Sequence, residues 1–320
     1  MSNTTLGGSA GLHRFQAVIN PLLTVGNPCS PPIPLPDDAH AFPTPPRGSP
    51  RGMKLAFSTL GVPGMPPRDV VRLAATCGYD GVELRAHPEE PVHPGISAAQ
   101  RAAVALEFAD AGVTVLAVAG YAQVAAAGPD EPVLAELAEL VRLAGDLGAP
   151  YVRVFPGGGE RPAEEADAAA ARRLGSIAPL AADTGVRVLL ETHDSHRRAQ
   201  DAVRVLGPVG HRSVGALWDL LHTWLGGEQP AVSLPALAPH LGYVQVKDVA
   251  SAEDTAPLPL GAGVLPLGAC VRALSHAGWD GWLSWEYEKR WHPRSAGFPQ
   301  LAAAGAEYLR GLLAAAPRAT

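Results

Sequence analysis

Cysteine is scarce in this chain: three residues in 320, at Cys29, Cys77 and Cys270. Their odd number and wide spacing exclude a disulfide framework and a paired-cysteine metal site, so a reducing, cytoplasmic setting is the expectation. No apolar run is long enough to span a bilayer, and no membrane partner is expected. Positive charge is in deficit, with 25 Lys and Arg against 31 Asp and Glu and a formal net charge of -6. That argues against nucleic acid as the main partner, because phosphate binding needs a basic footprint, although a small basic pocket would be hidden in the sum. The basic start, apolar core and small-residue cleavage site of a secretory signal are also missing. So is a dinucleotide fingerprint: the first strand-like run is followed by Leu60, Gly61, Val62, Pro63 and Gly64, which lack the required spacing. What remains is the composition of a soluble globular protein, 47% apolar and 18% charged.

Proline crowds the front of the chain, between Pro28 and Pro36 and again from Pro43 to Pro46. Such stretches forbid regular helices and central strands, so residues 1–52 read as a disordered extension, with a binding tail as the functional alternative. An over-called start, with Met53 as the natural beginning, is an equally good expectation. From there the pattern alternates without a long gap. Strands are expected at Lys54–Thr59, Val82–Arg85, Val113–Val118, Tyr151–Phe155, Val186–Glu191, Val214–Asp219, Tyr243–Lys247 and Trp282–Glu286. Helices are expected at Pro66–Cys77, Ser97–Ala111, Glu131–Leu147, Ala163–Asp183, near Arg197–Leu206, near Ala231–Leu237, at Leu265–Ala277 and at Phe298–Ala314. Ser97 is the expected N-cap of its helix. Eight strand-helix pairs in roughly 265 residues fit a closed (β/α)8 barrel over 53–320 better than an open sheet.

The strand from Val186 ends in Glu191, Thr192, His193 and Asp194, and the next three repeat that grammar. Glu191, Asp219, Gln245 and Glu286 stand 28, 26 and 41 residues apart, about one strand-helix unit each. In a barrel they would converge at the mouth, at the carboxyl ends of strands five to eight. Two Glu, one Asp and one amide oxygen make an oxygen-rich site. It favours one divalent ion, Mn²⁺ or Mg²⁺, with Co²⁺ and Zn²⁺ acceptable. Such an ion would polarise a carbonyl and its neighbouring hydroxyl on a polyol. Two carboxylates on opposite sides of the substrate carbon could take a proton from one face and return it on the other.

These residues carry a resemblance. Gly78–Arg85, Leu190–His193, Trp218–His222, Val244–Asp248 and Trp285–Glu288, in this order and spacing, resemble the sugar phosphate isomerase/epimerase superfamily, the xylose-isomerase-like TIM barrels. The resemblance covers Lys54 to Leu313. It implies one divalent ion held by Glu191, Asp219, Gln245 and Glu286, with the two glutamates doubling as the acid/base pair. It also implies a small-molecule sugar, sugar phosphate or cyclitol as partner. Homo-oligomers are common in the family, and Arg290, Trp291 and His292 are candidates for substrate or subunit contact. The sequence departs from the ketose epimerases at Gln245, where they usually carry His. Gln there is familiar from 3-dehydroshikimate dehydratases, which use a strand-five His, a strand-six His, a strand-seven Lys and a strand-four Arg. His193, His222, Lys247 and Arg153 occupy comparable places. The expected activity is therefore a metal-dependent isomerase or epimerase, with a dehydratase of a cyclic ketone as the alternative and a non-catalytic barrel as a remote one. Apurinic-site nucleases of the same superfamily need further ligands on the early strands, and the third strand, ending at Gly120, supplies none.

Each residue also has a plainer reading. Glu191 and Asp219 suit helix N-caps. Gln245 suits a buried amide, His193 and His222 suit orienting roles, and Lys247 suits a structural ion pair with Asp248 or Glu191. Glu83 and Arg85 are candidate substrate-binding residues or an internal ion pair, and Arg153 a substrate-binding residue or an interior counter-ion. Glu288 competes with Glu286 as the strand-eight ligand, since alternation puts both on one side. The glycines at 157–159 suit a phosphate cradle or simply a loop.

Overall fold

A computed structural model describes residues 52–316, and the expected disordered extension over 1–52 lies outside them apart from Gly52. Eight parallel strands close into a barrel in sequence order. They are β1 (Lys54–Ser58), β2 (Gly81–Arg85), β3 (Thr114–Gln123), β4 (Tyr151–Phe155), β5 (Arg187–Glu191), β6 (Val214–Asp219), β7 (Leu241–Val246) and β8 (Trp282–Trp285). The seam is made by β8 pairing with β1, Lys54 beside Trp282 and Phe57 beside Trp285. Nine helices among the described residues cover the outside. They are α1 (Pro67–Cys77), α2 (Ala98–Asp110), α3 (Asp130–Leu147), α4 (Ala163–Asp183), α5 (Ala199–Val209), α6 (Leu220–Leu225), α7 (Pro230–Leu237), α8 (Leu267–His276) and α9 (Phe298–Ala315). None of them is long and apolar enough to cross a membrane.

Local signals explain most of the boundaries. Ser97 caps α2 in a reciprocal box with Gln100, as its position before an apolar-periodic run implies. Gly148 ends α3 in the left-handed region, φ 68°, where a side chain would be strained. Two elements differ from expectation. β3 runs on through Gly120 to Gln123. That glycine does not break the strand; a Cβ there would overlap Leu140 of α3, so its absence lets helix and strand pack closely. A short helix, α6, also starts directly after Asp219, before the expected Pro-broken helix.

Strand alternation divides the interior into layers. Leu189, Leu217 and Tyr243 plug the barrel together with Ala56, Leu116, Ala117 and Trp282. Two residues further along β5, β6 and β7 stand Glu191, Asp219 and Gln245. With a side-chain period of two, the next inward layer above the apolar plug is therefore polar. Gln245 lies level with Asp219 on one side and Ser284 on the other. This polar layer opens at the carboxyl end of the barrel.

Candidate active site

Lys247 sits at the centre of the polar layer, although it is only 2% exposed. Its Nζ lies 2.8 Å from Asp219 Oδ2 and 2.9 Å from Glu288 Oε1, and it also pairs with Glu286 Oε2. Burial works against its charge, but Asp219, Glu286, Glu288 and Glu191 hold its pKa well above the ordinary lysine value. The expected pairing with Asp248 does not occur. Asp248 instead accepts the backbone N–H groups of Val249, Gly261, Gly263 and Leu265, and so ties the loop after β7 onto the barrel rim. Alternation places Glu286 and Glu288 on one side, as anticipated, and both reach the same ammonium.

Asp219 combines its two readings. Oδ1 caps α6, accepting from Leu221 N at 2.8 Å and His222 N at 3.3 Å. Oδ2 faces the site. On β7, the Gln245 amide nitrogen donates to both oxygens of Glu83, at 3.2 and 3.0 Å, and to Glu286 Oε1 at 3.2 Å. Glu83 accepts the Tyr243 hydroxyl as well. Glu83 is fully buried, and burial, reinforced by Glu286, pushes its carboxyl above the usual range. It is not paired with Arg85. Arg85 turns to Glu90 and to the Tyr121 hydroxyl, 2.6 Å away.

On the opposite wall Arg153 Nε lies 3.2 Å from Glu191 Oε2, and its guanidinium stacks over Phe155 at 4.0 Å. Burial raises the Glu191 carboxyl well above its ordinary pKa; Arg153 opposes the shift, and Glu286 and Asp219 add to it. His193 follows β5, with its ring 3.9 Å from that of His222 and 4.5 Å from that of Phe155. Burial, then the neighbouring His193 and Lys247, push His222 well below the ordinary histidine value. The ring stays neutral at pH 7. Asp194, at φ 33°, places Oδ2 3.3 Å from His193 Nδ1. Gly157 N donates to Asp194 and Gly158 N donates to Ser195 Oγ. Those two amides are therefore engaged within the protein, which removes the phosphate-cradle reading of the glycine run.

The mouth thus gathers Glu83, Arg153, Glu191, His193, Asp219, His222, Gln245, Lys247 and Glu286. Arg85 joins through Tyr121, whose ring lies 5.2 Å from the Arg85 guanidinium carbon and 5.4 Å from that of Arg153. Sequence reasoning missed Tyr121, Glu90 and Asp194. Tyr121 lay beyond the glycine taken as the end of β3. Glu90 sits in an irregular loop with no periodic signal. Asp194 was read only as the end of a polar cluster.

The donor set fits a hard divalent cation on one structural ground. Gln245 Oε1 is a buried acceptor with no partner, while Glu191 Oε2 and Asp219 Oδ2, buried on the two preceding strands, have only their ion-pair contacts with Arg153 and Lys247. Three buried acceptor oxygens in one layer, one per consecutive strand and one of them unpartnered, suit a hard cation. Glu191, His193 and His222 offer a second grouping, with ligand atoms within 4.8 Å of one another. It shares Glu191 with the first.

The model of the xylose isomerase-like TIM barrel family matches residues 71–312. The chain belongs to this family. Among relatives, a 3-dehydroshikimate dehydratase of Bacillus anthracis is 24% identical over 190 residues, 58% of this chain and 67% of that protein. A D-psicose 3-epimerase of Clostridium cellulolyticum, solved with D-tagatose, superposes with a TM-score of 0.71 at 16% identity, covering 82% of this chain and 99% of that one. The IolI protein, solved with a bound zinc atom, superposes at 0.68 with 18% identity, covering 81% and 96%. Proteins of at least two reaction types thus resemble this barrel, so the fold does not choose between them.

Proposed function

We propose that this chain is a divalent-metal-dependent isomerase or epimerase of a sugar, sugar phosphate or cyclitol. The observation that carries this reading is the convergence of Glu191, Asp219, Gln245 and Glu286 at the mouth, with Gln245 Oε1 buried and unpartnered. Those four residues would hold the ion, and His193 and His222 border it. When bound, Mg²⁺ or Mn²⁺ supplies Lewis acidity that lowers the pKa of a C–H beside a substrate carbonyl. The IolI zinc atom supports a metal in this fold and leaves Co²⁺ and Zn²⁺ as further occupants. Glu191 and Glu286, on strands five and eight, approach a substrate from different walls. One takes the proton and the other returns it. Lys247 holds Glu286 in place and keeps a proton for a developing oxyanion. Arg153 Nη1, buried without a partner, is placed to bind a substrate oxygen. The substrate is a small molecule, because the polar layer lies inside a single barrel mouth.

A second reading, a dehydratase of a cyclic ketone, has its own support. His193 and His222 stand ring against ring beside Glu191, a base and an acid close enough to remove a proton and protonate a leaving hydroxyl. The 3-dehydroshikimate dehydratase among the relatives points the same way.

Metal content comes first. Wild type should retain about one divalent ion per chain, and Glu191→Gln and Asp219→Asn should lose it while keeping the fold. Turnover should fall by about 10²–10⁴ in each. Ketoses, inososes and dehydroshikimate would then be screened in heavy water. Deuterium entering without loss of mass means epimerase or isomerase; an ultraviolet-absorbing product lighter by one water means dehydratase. No ion in wild type, even after adding Mn²⁺ or Mg²⁺, would sink the metal mechanism.

A further inference from the structure

A side-chain amide has two faces of nearly the same shape. One donates two hydrogen bonds and the other only accepts. A metal can use only the oxygen. A Gln at a ligand position therefore needs something to decide which face looks inward, a problem that a carboxylate, with two equivalent oxygens, does not have. Around Gln245 the decision is visible. Its nitrogen lies between three carboxylate oxygens, Glu83 Oε1 and Oε2 and Glu286 Oε1. Turning the amide over would set its oxygen against all three, with no donor to meet them. Glu83 in turn is held by the Tyr243 hydroxyl, two residues before Gln245 on β7. All three residues are fully buried, so water cannot substitute for any of these bonds. The oxygen left over, Gln245 Oε1, is the unpartnered one.

We infer that Glu83 is a positioning residue, braced by Tyr243, that commits the Gln245 amide oxygen to the metal site. Its work is orientation and not substrate contact, which revises the expectation that Glu83 binds substrate. This rests on the metal reading of the layer above, and it explains how a neutral Gln serves at the strand-seven position. Glu83 plays the part that a carboxylate hydrogen-bonded to a metal-bound histidine plays elsewhere: it fixes which atom points inward.

The test reads Mn²⁺ affinity, by the electron paramagnetic resonance signal of the free ion, in purified full-length protein. Glu83→Gln keeps the shape but lets the facing amide donate as well as accept, so the orientation of Gln245 is no longer forced. Mn²⁺ binding should weaken by about tenfold or more. In a Gln245→Glu background, where both oxygens are equivalent, Glu83→Gln should weaken binding much less than it does in the wild-type background, because no orientation is left to lose. Tyr243→Phe, which leaves the Gln245 bonds in place and loosens Glu83, should weaken binding by a smaller factor and serves if Glu83→Gln fails to fold. Equal Mn²⁺ affinity in wild type and in the folded variants would overturn the inference. So would equal weakening by Glu83→Gln in both backgrounds, which would mean a general structural effect. Absence of Mn²⁺ binding by wild type would fail the metal reading itself, a result separable from the other two.

Discussion

At the scale of the residue, single carboxylates in this barrel do two jobs at once. Asp219 spends one oxygen on the first turn of α6 and keeps the other for the mouth. Glu286 accepts from Gln245 with one oxygen and pairs with Lys247 through the other. Asp248, next to Lys247, takes no part in the ion cluster and instead gathers four backbone N–H groups. Replacing it by Ala would leave those donors unmet in a buried place, at about 1–3 kcal/mol for each that water cannot reach. Asp248→Ala should therefore lower the melting temperature and expose the loop after β7 to limited proteolysis within Ser251–Gly263. A wild-type digestion pattern in that variant would show the loop to be held by other contacts. The roles of Asp219 and Glu286 were partly legible beforehand, because strand alternation and cap preference act over two or three residues. That Asp248 binds a loop reaching seventeen residues ahead was not, because nothing local encodes it.

At the scale of the element, β3 and the turn that follows it shape the wall beside Arg85 and Arg153. Arg173 of α4, buried, donates to the carbonyls of Val124, Ala126 and Gly128 and pairs with Asp130 at 2.8 Å. Asp130 opens α3, so one carboxylate joins two helices and a turn. Its hydrogen bonds to Arg172 and Arg173 hold its pKa well below the ordinary carboxylate value. The folded state therefore binds fewer protons than the unfolded state as pH falls below about 4. Stability conferred by this group is complete above that pH and is lost as pH falls further. Asp130→Asn should lower the melting temperature near neutrality, and the difference from wild type should shrink below about pH 4. A difference that stays constant with pH would assign the effect to shape instead of charge. The length of β3 itself was misjudged, since a glycine reads as a strand end. Here it marks close approach of Leu140, a fact that resides in the helix opposite.

At the scale of the molecule, the barrel is closed by residues from both ends of the described chain. Phe298 of α9 packs on Phe57 of β1 at 5.0 Å and on Trp285 of β8 at 4.9 Å, ring centre to ring centre. This aromatic group backs the seam between the first and last strands. Phe298→Ala should destabilise the whole barrel by about 3–5 kcal/mol, because the cavity it leaves touches both. Equilibrium denaturation should show it as a lowered midpoint with an unchanged slope. A loss under 1 kcal/mol would mean that the seam is held by the strand ladder alone. The same closure brings β2 next to β1 and, across the mouth, within reach of β7 and β8. Glu83 thereby meets Gln245 and Tyr243, 162 and 160 residues away along the chain.

The alternation of strand and helix, the closed (β/α)8 architecture and the polar ends of strands five to eight followed from the sequence alone. They rest on periodicities of two and 3.6 residues, on caps and on turns, all of which are short-range. The partners of each polar atom did not. Which carboxylate faces Lys247, which amide face turns inward, and that Arg85 prefers Glu90 to Glu83 depend on the register of strands far apart in the chain. Those choices were made only when the barrel closed and buried the groups, because burial leaves each polar atom no partner except the neighbour that packing supplies.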